Sequence, residues 1–176
     1  AIAQNILTEI SREVQSMGWH FNTQTEVTFS PDVNGEINLA GDIVRVDVDP
    51  RVKRTGVSNS LVNNDDRDIT QRGTRLFDRT NNTFIFSKDV VVSVIYLFDF
   101  TELPEAARRY ITVRAARIFQ DRMVGSQKHH SFAQRDEMRA LALLKEFEMD
   151  TSDPTIFDNV DTLRIINRGT AQRGLY

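Results

Sequence analysis

The period of the hydrophobic pattern changes twice along the chain, and this restricts the possible folds more than any other feature of the sequence. In residues 1–19, apolar side chains recur at the spacing of one buried helix face. Between residues 20 and 100, apolar and polar side chains alternate, as in strands with one solvated face. Helical spacing returns over residues 101–150. The pattern predicts an α+β fold, with 1–19 and 101–150 forming a helical bundle and 20–100 an inserted antiparallel β domain.

The helical segments carry recognisable ends. Gly18 is a suitable C-cap for the first helix. Pro104 and Glu105 suit the start of a second helix, which is predicted to run to near Val124. A third helix is predicted from about 131 to 149. The expected buried residues of the first two helices are Ala3, Ile6, Leu7, Ile10, Val14, Met17, Ala107, Tyr110, Ile111, Ala115, Ile118 and Phe119.

Two segments of the β region give clear strand patterns. From Val44 to Val48, valines alternate with charged residues, which predicts a strand with one solvated face. The segment 90–98 is apolar at most successive positions and predicts a central strand covered on both faces. Asn81-Asn82 is predicted to be the turn of a hairpin that joins 76–78 to 84–86.

Two polar segments complete the organisation. Residues 51–68 are predicted to form a long exposed loop, and 151–176 an extended C-terminal arm that needs a partner to become ordered. Because the chain begins with Ala1 inside a helical pattern, we expect further residues upstream.

The composition excludes several classes of function. The chain of 176 residues has no cysteine, so disulfides, thiolate nucleophiles and cysteine-based zinc sites are excluded, and assembly in a reducing cytoplasm is expected. A net charge of -3 argues against binding nucleic acid by extensive phosphate neutralisation. No apolar run approaches the roughly 20 residues that span a bilayer.

No catalytic, cofactor or metal motif is present. His20, His129 and His130 are the only histidines; they lack metal-ligand spacing, and the last two are expected in a solvated loop between helices. The acids of 65–68 favour a surface loop over a cation site. Two carboxylates brought together only by folding would leave no motif, so a glycosidase pair stays open as an alternative.

Charged residues are unevenly divided between the last two predicted helices. The second contains five arginines that project around nearly its whole circumference, whereas a groove-reading helix would concentrate them on one face. The third helix and its end contain five acids: Asp136, Glu137, Glu146, Glu148 and Asp150. A basic helix beside an acidic one favours ion pairs within or between subunits, and an ordinary solvated surface is the alternative.

Several short segments, in consistent order from about residue 2 to 150, resemble tail tubular protein A, the head-to-tail adaptor of short-tailed bacteriophages. None is specific alone. The segments are Ser16-Met17-Gly18-Trp19 with Phe21-Asn22, Pro31-Asp32, Arg72-Gly73, Leu76-Phe77-Asp78-Arg79-Thr80, Leu103-Pro104-Glu105, Arg109-Tyr110-Ile111, Ala115-Ala116-Arg117-Ile118-Phe119, Arg122 to Gly125, Glu137 to Ala140, and Glu146-Phe147-Glu148-Met149-Asp150.

This resemblance implies a structural subunit of the virion tail that is assembled in the host bacterial cytoplasm. The family forms a dodecameric ring between the portal protein and the nozzle made by tail tubular protein B. Tail fibres attach near its lower rim, and DNA passes through the bore without sequence-specific contact. The family pattern also implies residues before Ala1.

The resemblance and the charge pattern together select candidate interface residues. Charge reversal at Arg117 is predicted to impair ring assembly more than folding of the monomer. The alternatives are a polysaccharide-degrading hydrolase activity carried by the tail protein and a fibre-binding module. The candidate interface residues are Arg108, Arg109, Arg114, Arg117, Arg122, Glu146 and Glu148.

Overall fold

The computed structural model describes residues 2–48, 68–123, 125 and 127–152, except for the side chains of 127–129. Most of the predicted 51–68 loop and of the 151–176 arm therefore lies outside the described residues. Three helices are described: α1 (Ile2–Ser16), α2 (Glu105–Met123) and α3 (Gln127–Ser152). The strands are β1 (Thr23–Phe29), β2 (Ile43–Val48), β3 (Ile69–Arg72), β4 (Arg75–Asp78) and β5 (Val90–Tyr96). Single 3-10 turns occupy His20–Asn22 and Phe100–Glu102.

The fold is α+β, as the hydrophobic period predicts, and it has two clusters of buried side chains. One lies among the three helices and includes Ile10, Tyr110 and Leu144; the other lies in the β region and includes Leu76 and Val92. Both α1 and α3 pack against α2. The exact division at 19/20 and 100/101 stays a prediction.

Most of the apolar residues predicted to form the buried face of α1 are buried, but the residues at the two ends of that face are not. Ile6, Ile10 and Val14 are buried, but Ala3 is exposed and the side chain of Met17 is 52% exposed. The prediction for Met17 is wrong because α1 ends at Ser16, so Met17 lies in the turn that leads into Gly18 and does not continue the helical face.

The third helix is longer than its apolar pattern predicts. It begins at Gln127, so His129 and His130 lie in its first turns and the expectation of a loop there is wrong. Gly125 adopts a φ of 65°, a left-handed conformation that reverses the chain within a few residues. Because the connection between α2 and α3 is short, both histidines lie within α3.

The predicted central strand is confirmed, but it is fully covered on only one face. In the sheet β1-β5-β2, β5 pairs antiparallel with both neighbours. Val90, Val92 and Val94 are buried, whereas on the other face Ile95 is buried but Val91 and Ser93 are only half-buried. Full coverage on both faces was expected because apolar runs do not reveal which face a second layer reaches.

The predicted hairpin has a different partner. Strand β4 pairs with β3 through a turn at Gly73, and across Asn81-Asn82 there is only one bridge, from Asp78 to Thr83. The N–H of Phe86 instead donates to the carbonyl of Gly35 at 2.7 Å. The hairpin prediction is wrong because the segment after the turn completes its backbone hydrogen bonds with a distant loop. The solvated face predicted for β2 is confirmed, since Val46 and Val48 are buried while Asp47 is exposed.

Candidate functional site

Glu137 of α3 stands at the centre of a charge network that connects all three helices. Its Oε1 accepts a hydrogen bond from Arg114 Nη1 of α2 at 3.2 Å, and its Oε2 accepts one from Arg117 Nε. Arg114 Nη2 donates to Oε1 of Glu13, on α1, at 2.6 Å. One carboxylate from each outer helix is therefore held by a single arginine of the middle helix.

The network extends from Arg117 to the start of α3. Arg117 Nη1 lies 3.2 Å from Asp121 Oδ2, and the same carboxylate lies 2.9 Å from Nδ1 of His130. These contacts connect the end of α2 to the second turn of α3, across the short connection between them. The interhelical geometry is thus set by charged groups as well as by apolar packing.

The two central arginines are strongly held in their charged form. Burial opposes the charge of Arg114, but its hydrogen bond to Tyr110 and its attraction to Tyr110, Glu13 and Glu137 raise the pKa above the usual value. The hydrogen bond from Arg117 to Glu137, which outweighs burial, also raises the pKa of Arg117. Both guanidiniums are therefore charged at neutral pH.

The five candidate interface arginines fall into three groups, according to their ionic contacts within the described chain. Arg114 and Arg117 have side chains only about one-fifth exposed and are engaged within the chain. Arg108 pairs with Glu105 of its own helix at 2.6 Å, and the exposed Arg122 pairs with Glu9 of α1 at 3.3 Å. Arg109 is exposed and has no acidic partner among the described residues.

The two candidate acids also differ. Glu146 is exposed and pairs with no described basic residue, so its charge is available to another molecule. Glu148 is half-buried, and its Oε1 accepts a hydrogen bond from the backbone N–H of His20. Glu148 therefore connects α3 to the turn after α1, and its role at an interface stays a prediction, as it does for the other six residues.

A second cluster of polar contacts joins the bundle to the β region, and no sequence pattern predicts it. Gln15, fully buried in α1, accepts a hydrogen bond from the N–H of Phe98 at 2.8 Å and donates to its carbonyl at 3.1 Å. Asn22, also buried, donates to the carbonyls of Gln15 and Tyr96. Trp19 Nε1 donates to the carbonyl of Val14 at 2.8 Å. We call Gln15, Trp19 and Asn22 the junction.

Gly18 is required in the same region for steric reasons. Its φ is 78°, and a Cβ built there would lie 2.6 Å from Cδ1 of Ile95 on the central strand. Gly18→Ala is expected to lower the free energy of unfolding by about 1–3 kcal/mol, because it combines an unfavourable φ with a close contact. Urea denaturation measures the change.

Gly41→Ala is the matched control for Gly18→Ala. No atom lies within 4 Å of a Cβ built at Gly41, and its φ is not in the left-handed region. It is expected to be neutral or to stabilise by about 0.4–1 kcal/mol, through the smaller entropy of the unfolded chain. Equal losses from the two variants would contradict the steric argument.

Three grooves lie on the described surface. One, of about 370 Å³, lies between α1 and the chain that follows β5 and is lined by Leu7, Arg12, Phe98 and Asp99 among others. Each of the three contains a single carboxylate, so none of them brings together the two that a glycosidase uses. Within the described ranges, no three potential metal-ligating side chains are clustered, and no helix is both long and apolar enough to cross a membrane.

Comparison with protein families finds one whose model covers almost all of the described chain. The model of the family described as Tail tubular protein matches residues 1–154. The chain belongs to the tail tubular protein family. It is accordingly a structural component of the bacteriophage tail. A comparison with curated proteins gives no match.

The family match includes both the helical bundle and the β region. It therefore contains the network around Glu137 and the junction, and it ends two residues after α3. The buried hydrogen bonds of the junction join the bundle to the β region, and an unpaired buried polar group there would destabilise the fold.

Proposed function

We propose that this member of the tail tubular protein family is an adaptor subunit that joins the capsid portal to the tail nozzle. Copies of the chain form a closed dodecameric ring, through whose bore DNA passes without sequence-specific contact. The portal protein lies on one side of the ring, tail tubular protein B on the other, and tail fibres attach near the lower rim. The ring seals the packaged DNA and transmits the signal for its release.

The observation that carries this proposal is the contrast between the inside and the outside of the bundle. Inside, Arg114 and Arg117 of α2 both pair with Glu137 of α3, and Arg114 also pairs with Glu13 of α1. Outside, Arg109 and Glu146 have no described ionic partner and are exposed. A rigid subunit with unpaired charges on its outer surface suits head-to-tail contacts that close by rotation.

The net charge of the chain supports passage of DNA. At -3, the chain does not carry the basic excess that would bind phosphates tightly and slow the movement of DNA through a narrow bore. A β region that projects from the ring could contact the nozzle or the fibres. Fibre binding is then part of the adaptor function and not an alternative to it. The three grooves described above each contain one carboxylate, so none of these three supplies the pair that a glycosidase uses.

Assembly with the portal protein tests the proposal directly. Light scattering of the free chain, of the portal, and of their mixture should show a ring-sized complex only in the mixture. Arg109→Glu is expected to weaken this assembly by about tenfold or more while leaving the urea midpoint unchanged, because Arg109 is exposed and has no ionic partner within the described chain.

Arg45→Glu, at an exposed position of β2, is the control for a general effect of charge. Arg117→Glu is expected to weaken folding as well, since it would place a third carboxylate beside Glu137 and Asp121. If the chain ignores the portal at every concentration, the adaptor function is wrong. If Arg109→Glu assembles like the unmodified chain, only the role of Arg109 is wrong.

A further inference from the structure

The outward face of α3 exposes more apolar surface than a solvated helix needs. Four large apolar side chains of this helix are exposed: Phe132 by 64%, Met138 by 60%, Leu143 by 47% and Met149 by 65%. Isolated apolar residues are normal on a protein surface. Four on the outward half of one helix leave apolar surface that is available to another molecule.

The charges on the same face are arranged in an order that is unfavourable for an isolated helix. Arg135, Arg139, Ala142, Glu146 and Asp150 follow helical spacing, so they lie along one line, and all five are exposed. The two arginines are four residues apart, as are the two acids, and like charges at that spacing repel each other. The acids also lie toward the C-terminus of α3, where the helix dipole disfavours negative charge.

No contact within the described chain relieves this arrangement, because none of these four charged side chains has an ionic partner there. A second α3 in the opposite direction would relieve it. Arg139 lies three residues before Ala142, and Glu146 lies three residues after Leu143. Arg135 and Asp150 lie seven residues from the same two positions. When two α3 helices run in opposite directions and cross at these two positions, each arginine of one helix is therefore level with an acid of the other.

We propose that the unassembled chain pairs with a second copy of itself through antiparallel α3 helices. Each Arg139 faces the partner's Glu146, and each Arg135 faces the partner's Asp150. Ala142 and Leu143 lie at the crossing point, where the small alanine permits close approach of the two helices. The contact is isologous, so it closes with two copies and does not extend into a ring.

The pairing itself goes beyond the adaptor function and does not depend on it, whereas its role in assembly rests on that proposed function. The dimer covers Glu146, which is one of the residues proposed for contacts in the ring, so the two assemblies compete for the same face. The pairing would keep free subunits from associating head-to-tail before the portal is present. Opening the dimer then becomes a step of assembly.

Sedimentation equilibrium of the free chain, without portal, tests the pairing. A single helix face buries less than a standard interface, so we expect a weak dimer that is measurable over roughly 5–500 µM. Arg139→Glu and Glu146→Arg should each weaken dimerisation about tenfold or more, because each places like charges opposite each other. The double variant Arg139→Glu/Glu146→Arg should restore dimerisation to within about threefold, because the pairs are remade with reversed sign.

A cross-link supplies a second measurement, since the chain has no cysteine of its own. Ala142→Cys should form a disulfide-bonded dimer under mild oxidation, whereas Ala116→Cys, at an exposed position of α2, should not. Circular dichroism confirms that each variant is folded. A chain that stays monomeric throughout the concentration range overturns the proposal, and so does a dimer that the charge exchange fails to restore or that cross-links equally at both positions.

Discussion

Glu137→Ala is expected to lower the free energy of unfolding by about 3 kcal/mol, through the loss of one carboxylate that serves two arginines. Arg114 and Arg117 both donate to Glu137, whose side chain is 12% exposed. Removing it leaves two partly buried positive charges near each other without their shared counter-charge. The expected loss of unfolding free energy is at the lower end of the range for breaking a buried ion pair. The reason is that both arginines are about one-fifth exposed and keep contacts to Glu13 and Asp121. Urea denaturation followed by circular dichroism measures the loss.

Glu146→Ala is the control for Glu137→Ala, since it removes the same group from the exposed face of the same helix. Its effect should stay within about 0.5 kcal/mol. Glu137→Gln, which keeps the shape and removes the charge, should fall between the two. A double-mutant cycle with Arg117→Ala should give a coupling energy of about 1–3 kcal/mol. A loss from Glu137→Ala as small as that of the control would show that the network adds nothing to stability.

Gln15→Ala should destabilise the chain to a similar extent, about 3 kcal/mol, at the junction between the bundle and the β region. The amide of Gln15 accepts from and donates to the backbone of Phe98, and it also donates to Ser11. Alanine leaves both backbone groups of Phe98 without that partner in a part-buried position, and it opens a cavity where a fully buried side chain stood.

Trp19 makes this effect measurable at the junction itself. It is the single tryptophan of the chain, is 9% exposed, and donates to the carbonyl of Val14 one residue before Gln15. Its fluorescence should shift to longer wavelength at lower urea in Gln15→Ala than in the unmodified chain. Gln4→Ala, at an exposed position of the same helix, should leave the transition unchanged. Coincident transitions of both variants would contradict the role assigned to Gln15.

The elements that sequence predicts well are those whose signal is local. The stripe Ile6, Ile10 and Val14 marks α1 because helical spacing repeats within a few residues. The alternation at Val46 and Val48 marks β2 for the same reason. The resemblance to tail tubular proteins likewise combines short segments and is confirmed by the family match over residues 1–154.

Predictions that needed a partner distant in the sequence were less successful. Phe86 was assigned to a hairpin with the strand just before it, but its N–H donates to Gly35. Turn residues such as Asn81-Asn82 reveal that the chain reverses, but they do not reveal which backbone groups meet afterwards. The additional N-terminal residues of α3 involve a nearer contact, between His130 and Asp121 nine residues before it, which the apolar pattern does not show.

The charged residues illustrate the same division. Composition and helical spacing alone indicated a basic helix beside an acidic one, and the pairing of Arg114 and Arg117 with Glu137 agrees with that indication. Which arginine faces inward depended on contacts across the fold: Arg114 meets Glu13 from 101 positions away, and Gln15 meets Phe98 from 83. The sequence determined the elements, the class of fold and the family, because those follow from local periodicity and short motifs. Only the tertiary structure decided which polar groups are buried together, because the burial of a polar group depends on what the rest of the chain places beside it.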